Sequence, residues 1–327
     1  MFNVKITGTG SYLPEKVLTN FDLEKMVDTS DEWIRTRSGI KERHIASEDE
    51  ATSDLVAVAA KRAMENAGVS SSDIDLIIVA TDTPDNAYPS TACWVQKHLG
   101  IKDEMPAFDL EAACSGYLYA LIIAAGMIQS KLIDRVLVCA GETMSRAIDW
   151  EDRSICVLFG DGAGCSVVER SDGDSAILST YWAADGNLGD LLIQPAGGSR
   201  MPATHETVEK KLHSLRMAGN EVFKKAVQKM KKSAEEALKR ANIKGEDIDL
   251  YIPHQANIRI IEATIKRAGI PREKTAVTID KTGNVSAATL PITLDQAVRE
   301  GRLKRGDILL FTVFGGGFTW GSAVVRW

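Results

Sequence analysis

The sequence repeats itself. Residues 63–76 read A-M-E-N-A-G-V-S-S-S-D-I-D-L, and residues 237–250 read A-L-K-R-A-N-I-K-G-E-D-I-D-L. The two runs lie roughly 170 residues apart, and the offset recurs. The strand-like run 136–140 finds a counterpart at 308–312, and the segment 108–116 finds one at 279–287. Two matched βα-rich halves predict a duplicated, layered α/β architecture. The polar turn S-D-G-D-S near residue 173 divides it into a first half, 1–173, and a second half, 174–327. A site between such halves draws residues from both.

Within the first half, residues 105–110 read as a buried strand that turns into a helix opening near Ser115. Tyr117, Leu118, Leu121, Ile122, Ala125 and Ile128 are apolar at helical spacing, and Ile123, Ala124 and Met127 fill much of the remaining circumference. A helix apolar almost all round belongs in the interior. Cys114 falls where the strand ends and the helix begins. The N–H groups and positive end of a helix favour a thiolate there, the form that attacks. Gly116, without a Cβ, allows a substrate or another chain segment to approach closely.

The repeat carries this reading into the second half. The turn T-G-N-V-S-A-A-T takes the place of Cys114 and offers Asn284. The strand end after D-I-D-L becomes Y-I-P-H-Q-A-N and offers His254 and Asn257. Cys114, His254 and Asn284 therefore stand at element ends in equivalent layers, where sites of α/β proteins form.

Other features are weaker. Thr29 with Glu32 reads as a capping box, which places Trp33 and Arg37 one turn apart on one helix face. On residues alone this is a surface helix with a packed Trp; a ring beside a guanidinium also suits a base and a phosphate. G-T-G-S-Y-L-P ends on Pro14 and no helix follows, so it is not a dinucleotide loop. F-G-D-G-A-G (159–164) reads as a tight turn. Cys139, Cys156 and Cys165 read as core residues in strand-like runs. The glycines of F-G-G-G-F-T-W-G can turn an N–H toward a bound oxygen, or simply make a hairpin.

Composition excludes several classes. A net charge of −6 gives no case for nucleic acid. No apolar run approaches a membrane span, and the opening M-F-N-V-K-I-T-G reads as a strand rather than a signal peptide. Five irregularly spaced cysteines argue for a reducing, cytoplasmic setting. No C-x-x-C pair or H-E-x-x-H occurs, so no metal is expected.

Taken together, G-T-G-S-Y-L-P, D-T-S-D-E-W-I-R-T-R, A-A-C-S-G, F-G-D-G-A-G, H-Q-A-N, G-N-V-S-A-A and F-G-G-G-F-T-W-G resemble, in order and across the chain, the β-ketoacyl-acyl-carrier-protein synthase III family. The resemblance implies the thiolase fold in an αβαβα arrangement, a homodimer, and no cofactor beyond the CoA thioester substrate. It implies that Cys114 takes a short acyl group, acetyl foremost, from acyl-CoA. The N–H groups of Cys114 and Gly316 would hold the oxyanion, and His254 and Asn284 would bind malonyl-acyl-carrier protein as it loses CO2. Thr29, Trp33, Arg37, Arg153, Asn220 and Asn257 match CoA-contacting positions. Lys224, Arg259, Lys266 and Arg267 match the carrier-protein patch, and Tyr88 and Phe314 match the acyl pocket. The segment 202–215 departs from the family's commonest pattern. The alternatives are a related condensing enzyme of secondary metabolism, a Cys-His-Asn thioester hydrolase, and a non-catalytic carrier-binding scaffold.

Overall fold

The computed structural model describes residues 3–101 and 104–327. The first two residues of the opening run lie outside the described residues. The first sheet carries five strands in the spatial order Asn3–Tyr12, Asp161–Ser171, Arg135–Thr143, Leu76–Ala80 and Ala107–Leu110. Each of the first three runs antiparallel to its neighbour, and the last three are parallel. The second sheet runs Ala176–Ala184, Thr319–Arg326, Ile308–Gly315, Leu250–Pro253 with the same alternation of directions. Here the repeat is corrected in one place. The match of 108–116 to 279–287 fails over its strand part: Thr275 bridges Tyr251 in parallel, as Ala107 pairs Ile77. Residues Ile279–Thr282 form a helical turn instead.

Two helices fill the space between the sheets. Gly116–Gln129 and Thr289–Arg299 pack in one apolar cluster with Leu76, Ile78, Val136 and Val138 of the first sheet and Ile252, Leu309 and Phe311 of the second. Leu118 and Leu121 are wholly buried, each contributing roughly 1.5–3 kcal/mol. This explains a helix with no polar face: it has a sheet on both sides. Thr52–Ala67 and Thr91–His98 cover the outer face of the first sheet, and Gly219–Ala241 with Ile258–Ala268 covers the second. The result is the αβαβα sandwich of the thiolase fold.

Local readings needed several adjustments. Ser30, not Thr29, caps the helix Asp31–Ser38, accepting from the Trp33 N–H at 3.1 Å. The central helix starts at Gly116, behind a short 3-10 turn, Ala113–Ser115. A Cβ on Gly116 would fall 2.9 Å from the Ala80 Cβ and 3.4 Å from that of Ala287, so its close approach serves packing of the two halves rather than a substrate. F-G-D-G-A-G is not a tight turn, because Asp161 already opens a long strand. Cys139 and Cys165 pair across adjacent strands, but Cys156 is buried in a turn.

Candidate active site

Cys114 sits at the floor of a cavity of about 610 Å³ whose walls come from both halves. Only 9% of its surface is exposed. Burial pushes the thiol up to about 12, and the nearby Asp82 carboxylate adds to the effect. Burial thus opposes the helix terminus, which favours the thiolate. Gly315 packs against the nucleophile's backbone. A Cβ there would lie 2.7 Å from the Cys114 nitrogen and 3.0 Å from that of Ser115. Only glycine leaves that amide open, and Gly316 follows in the same cavity wall.

The second half supplies polar partners from two element ends. His254 follows the strand Leu250–Pro253 and is tied to the next strand by its N–H to the Thr312 carbonyl, 2.8 Å. Its ring is 2% exposed, and burial lowers its pKa to about 3, so it is neutral. Nδ1 meets the Thr289 hydroxyl at 2.7 Å, and that hydroxyl donates to the Ser286 carbonyl at 3.1 Å. Asn284 is bridged to Phe159 by its backbone, and its Oδ1 accepts from the Ser286 N–H at 3.0 Å. That contact fixes the amide and leaves Nδ2 as a donor. Both residues line the cavity with Cys114.

Ser286 and Asp82 are the residues the sequence reading missed. The Ser286 hydroxyl lies 2.6 Å from Asp82 Oδ2 and 3.3 Å from Cys114 Sγ. Desolvation at the cavity floor pushes Asp82 up to about 6. Glu142, wholly buried behind it, is also raised by burial while it accepts from the Asp82 N–H and the Thr83 hydroxyl. A signal existed: Asp82 directly follows the strand Leu76–Ala80 and Thr81, at the kind of strand end that offered His254.

Toward the mouth, Arg37, Asn220, Asn257, Arg259 and Phe314 line the same cavity. Trp33 and Arg153 stand outside its lining; the guanidinium carbons of Arg37 and Arg153 each lie 5.1 Å from the Trp33 ring centre. The Thr29 hydroxyl is buried without a hydrogen-bond partner. Asn257 caps the helix Ile258–Ala268 through the Arg259 N–H, 2.8 Å. Arg259 also packs over Phe223, whereas Lys266 and Arg267 project from the last turn of that helix, exposed. Lys224 is exposed and paired with Glu221 at 2.9 Å. Tyr88 is 87% exposed and does not line this chain's cavity, while Phe314 is buried with its ring 4.7 Å from that of Phe318.

Comparison with known proteins agrees with this arrangement. Residues 108–186 match the family described as 3-oxoacyl-[acyl-carrier-protein] synthase III, and residues 238–327 match its C-terminal family. The β-ketoacyl-[acyl-carrier-protein] synthase III of Caldanaerobacter subterraneus subsp. tengcongensis is 56% identical over 98% of this chain and 97% of its own. The chain belongs to the 3-oxoacyl-[acyl-carrier-protein] synthase III family. The synthase III of Desulfitobacterium hafniense strain Y51 is 51% identical over 100% of this chain and 98% of its own. The crystal structure of the Aquifex aeolicus synthase III superposes with a TM-score of 0.92 at 51% identity, covering 99% of this chain and 100% of that one. The protein is thus a condensing enzyme, an acyltransferase that initiates fatty-acid synthesis. No helix among the described residues is long and apolar enough to cross a membrane.

Proposed function

We propose that the enzyme joins a short acyl-CoA, acetyl-CoA foremost, to malonyl-acyl-carrier protein, giving 3-oxoacyl-acyl-carrier protein, CO2 and CoA. The observation that carries this reading is the meeting of a thiol with two neutral donors, His254 and Asn284, on one cavity. In the first half-reaction Cys114 attacks the acyl carbonyl, and the N–H groups of Cys114 and Gly316 receive the oxyanion. In the second, the side chains of His254 and Asn284 bind the malonyl thioester carbonyl. Loss of CO2 puts enolate charge on that oxygen, and fixed neutral donors stabilise it without a base. The carbanion then attacks acyl-Cys114. A His held at a pKa of about 3 suits a donor and not a proton acceptor at neutral pH.

Around this core, Trp33, Arg37 and Arg153 form the platform for the adenine and phosphates of CoA, with Thr29, Asn220 and Asn257 along its path. Lys224, Arg259, Lys266 and Arg267 supply the positive charge that docks an acidic carrier protein. The enzyme acts as a cytoplasmic homodimer in which Tyr88, pointing away from its own cavity, closes the acyl pocket of the other protomer opposite Phe314. It uses no bound cofactor or metal. Separate assays of acyl-enzyme formation and of malonyl decarboxylation test the division of labour. Equal loss of both in H254A and N284A would contradict it.

A further inference from the structure

Transfer of an acyl group from one thiol to another leaves a proton to be moved. Cys114 begins as a thiol and ends as a thioester; coenzyme A leaves as a thiolate and must gain a proton. His254 is a poor carrier, since its Nδ1 is taken by Thr289 and burial keeps the ring neutral down to low pH. The oxygen atom nearest the sulfur among the hydrogen bonds of the described residues is Ser286 Oγ, 3.3 Å away. That hydroxyl has one proton, and the shorter contact, 2.6 Å to Asp82 Oδ2, claims it. The same hydroxyl is also placed to donate to the sulfur, so it can pass a proton between the two groups. Thiol, hydroxyl and carboxylate thus form a continuous chain.

We propose that Ser286 and Asp82 form a proton relay that takes the Cys114 proton during acyl transfer and returns it to the departing thiolate of coenzyme A. As the Cys114 sulfur bonds to the acyl carbon, its proton passes to Ser286 Oγ while the Ser286 proton passes to Asp82. The acyl carbon–sulfur bond of coenzyme A breaks, and the neutral Asp82 carboxylic acid gives its proton back through Ser286 to the thiolate. Atoms and charge balance, and Asp82 ends as it began. The proposal rests on Cys114 being the acyl acceptor, as argued above.

The surroundings are matched to this task. Ser286 touches the reacting sulfur; Asp82 acts through it. Asp82 lies between the active-site cavity and a second cavity lined by Thr52, Thr83 and Arg146, so it is desolvated without being sealed off. The titratable groups facing it are Glu142 from the neighbouring strand, Glu111 from beyond the strand Ala107–Leu110, and Cys114 itself. Desolvation and Glu111 lift the Asp82 carboxyl to about 6, high for an acid and close to the working pH of a proton carrier. Burial first, and then this negative charge, raise the Cys114 thiol. Asp82 thus makes a spontaneous thiolate harder and a relayed proton transfer easier.

Those two effects oppose one another, and that separates a relay from a structural contact. The test measures two rates across pH for the parent, D82N and S286A: acetylation of Cys114 by acetyl-CoA, and alkylation of Cys114 by iodoacetamide, which consumes the thiolate. Acetylation of the parent should fall as pH drops through about 6, where the Asp82 carboxylate becomes protonated and can no longer accept. D82N should lose that inflection and slow by roughly a hundredfold or more, the usual size of such a contribution. Its alkylation should become faster, because the charge opposing the thiolate is gone. S286A keeps the charge and breaks the chain, so it should lose the same inflection without faster alkylation. It carries the test if D82N fails to fold. Unchanged acetylation rate and pH profile in both variants would overturn the relay while leaving Cys114 as acceptor. Absence of any acetyl-Cys114 in the parent would overturn both.

Discussion

Ala113 and Ser286 hold the same left-handed backbone conformation, with φ of 47° and 41°. Each opens a 3-10 turn, Ala113–Ser115 and Ser286–Ala288, that leads into a buried central helix three residues later. Non-glycine residues in that region are strained, and such strain gathers at functional sites. Here it aims the start of one helix, with the nucleophile, at the start of the other, with its polar neighbours. The duplication thus builds one site from two copies of one turn.

Replacing Cys114 by Ala should abolish acyl-enzyme formation and leave the fold intact. The side chain is small and buried, and losing its sulfur should cost about 1 kcal/mol. Labelled acetyl-CoA and a thermal melt check both parts; retained labelling would contradict the assignment.

H254A and N284A should each slow malonyl decarboxylation by about two orders of magnitude, roughly 3 kcal/mol, with far smaller loss of Cys114 acylation. The two half-reactions are measured separately, one by acyl-enzyme formation and the other by CO2 release.

His254 also has a stability signature. Its folded pKa, about 3, lies below its unfolded value of 6.5. The stability it contributes is full above 6.5 and is lost as pH falls toward 3, because only the unfolded chain takes up the proton. By pH 5 the loss from this one group should reach about 2 kcal/mol. Asp82 and Glu142 are shifted upward and act with the opposite sign. The informative quantity is therefore the difference between parent and H254A in denaturant melts at pH 7 and pH 5. The parent should lose more on acidification; an equal loss would mean the ring is not held neutral.

Much of this was legible beforehand. The D-I-D-L repeat carried the layered halves, and element ends carried Cys114, His254 and Asn284. What stayed hidden depends on a third dimension. The register of the repeat near Thr275 slipped because the second copy replaces a full strand by a single bridge. The protonation of Cys114 depends on how deeply the turn sinks and on Asp82, far away in sequence. Ser286 stood inside the quoted G-N-V-S-A-A run, yet a serine in a turn has no visible partner until the halves meet.

R267E should raise KM for malonyl-acyl-carrier protein by about fivefold, with little change in acetyl-CoA kinetics, and added salt should weaken the parent's carrier interaction. Arg259 is a less clean probe than sequence suggested, because it lines the cavity and packs on Phe223. R259E should disturb both substrates. An unchanged KM in R267E would return that residue to the solvated surface.

Y88A should extend the accepted primer length, since closely packed pocket walls tolerate few added methylenes and each newly buried one contributes roughly 0.8 kcal/mol. Relative kcat/KM over acyl-CoAs of increasing length, with the dimer checked by light scattering, reads the effect. An unchanged profile in an intact dimer would remove Tyr88 from the pocket.

The most direct measurement follows Cys114 through one turnover. Intact-protein mass spectrometry after incubation with acetyl-CoA should find a single acetyl group, mapped to Cys114 and stable in buffer. Malonyl-acyl-carrier protein should then discharge it, with 3-oxoacyl-carrier protein and CO2 formed in equal amount. An acetyl group that water removes as fast as malonyl-acyl-carrier protein does, or one carried on another residue, would contradict the account.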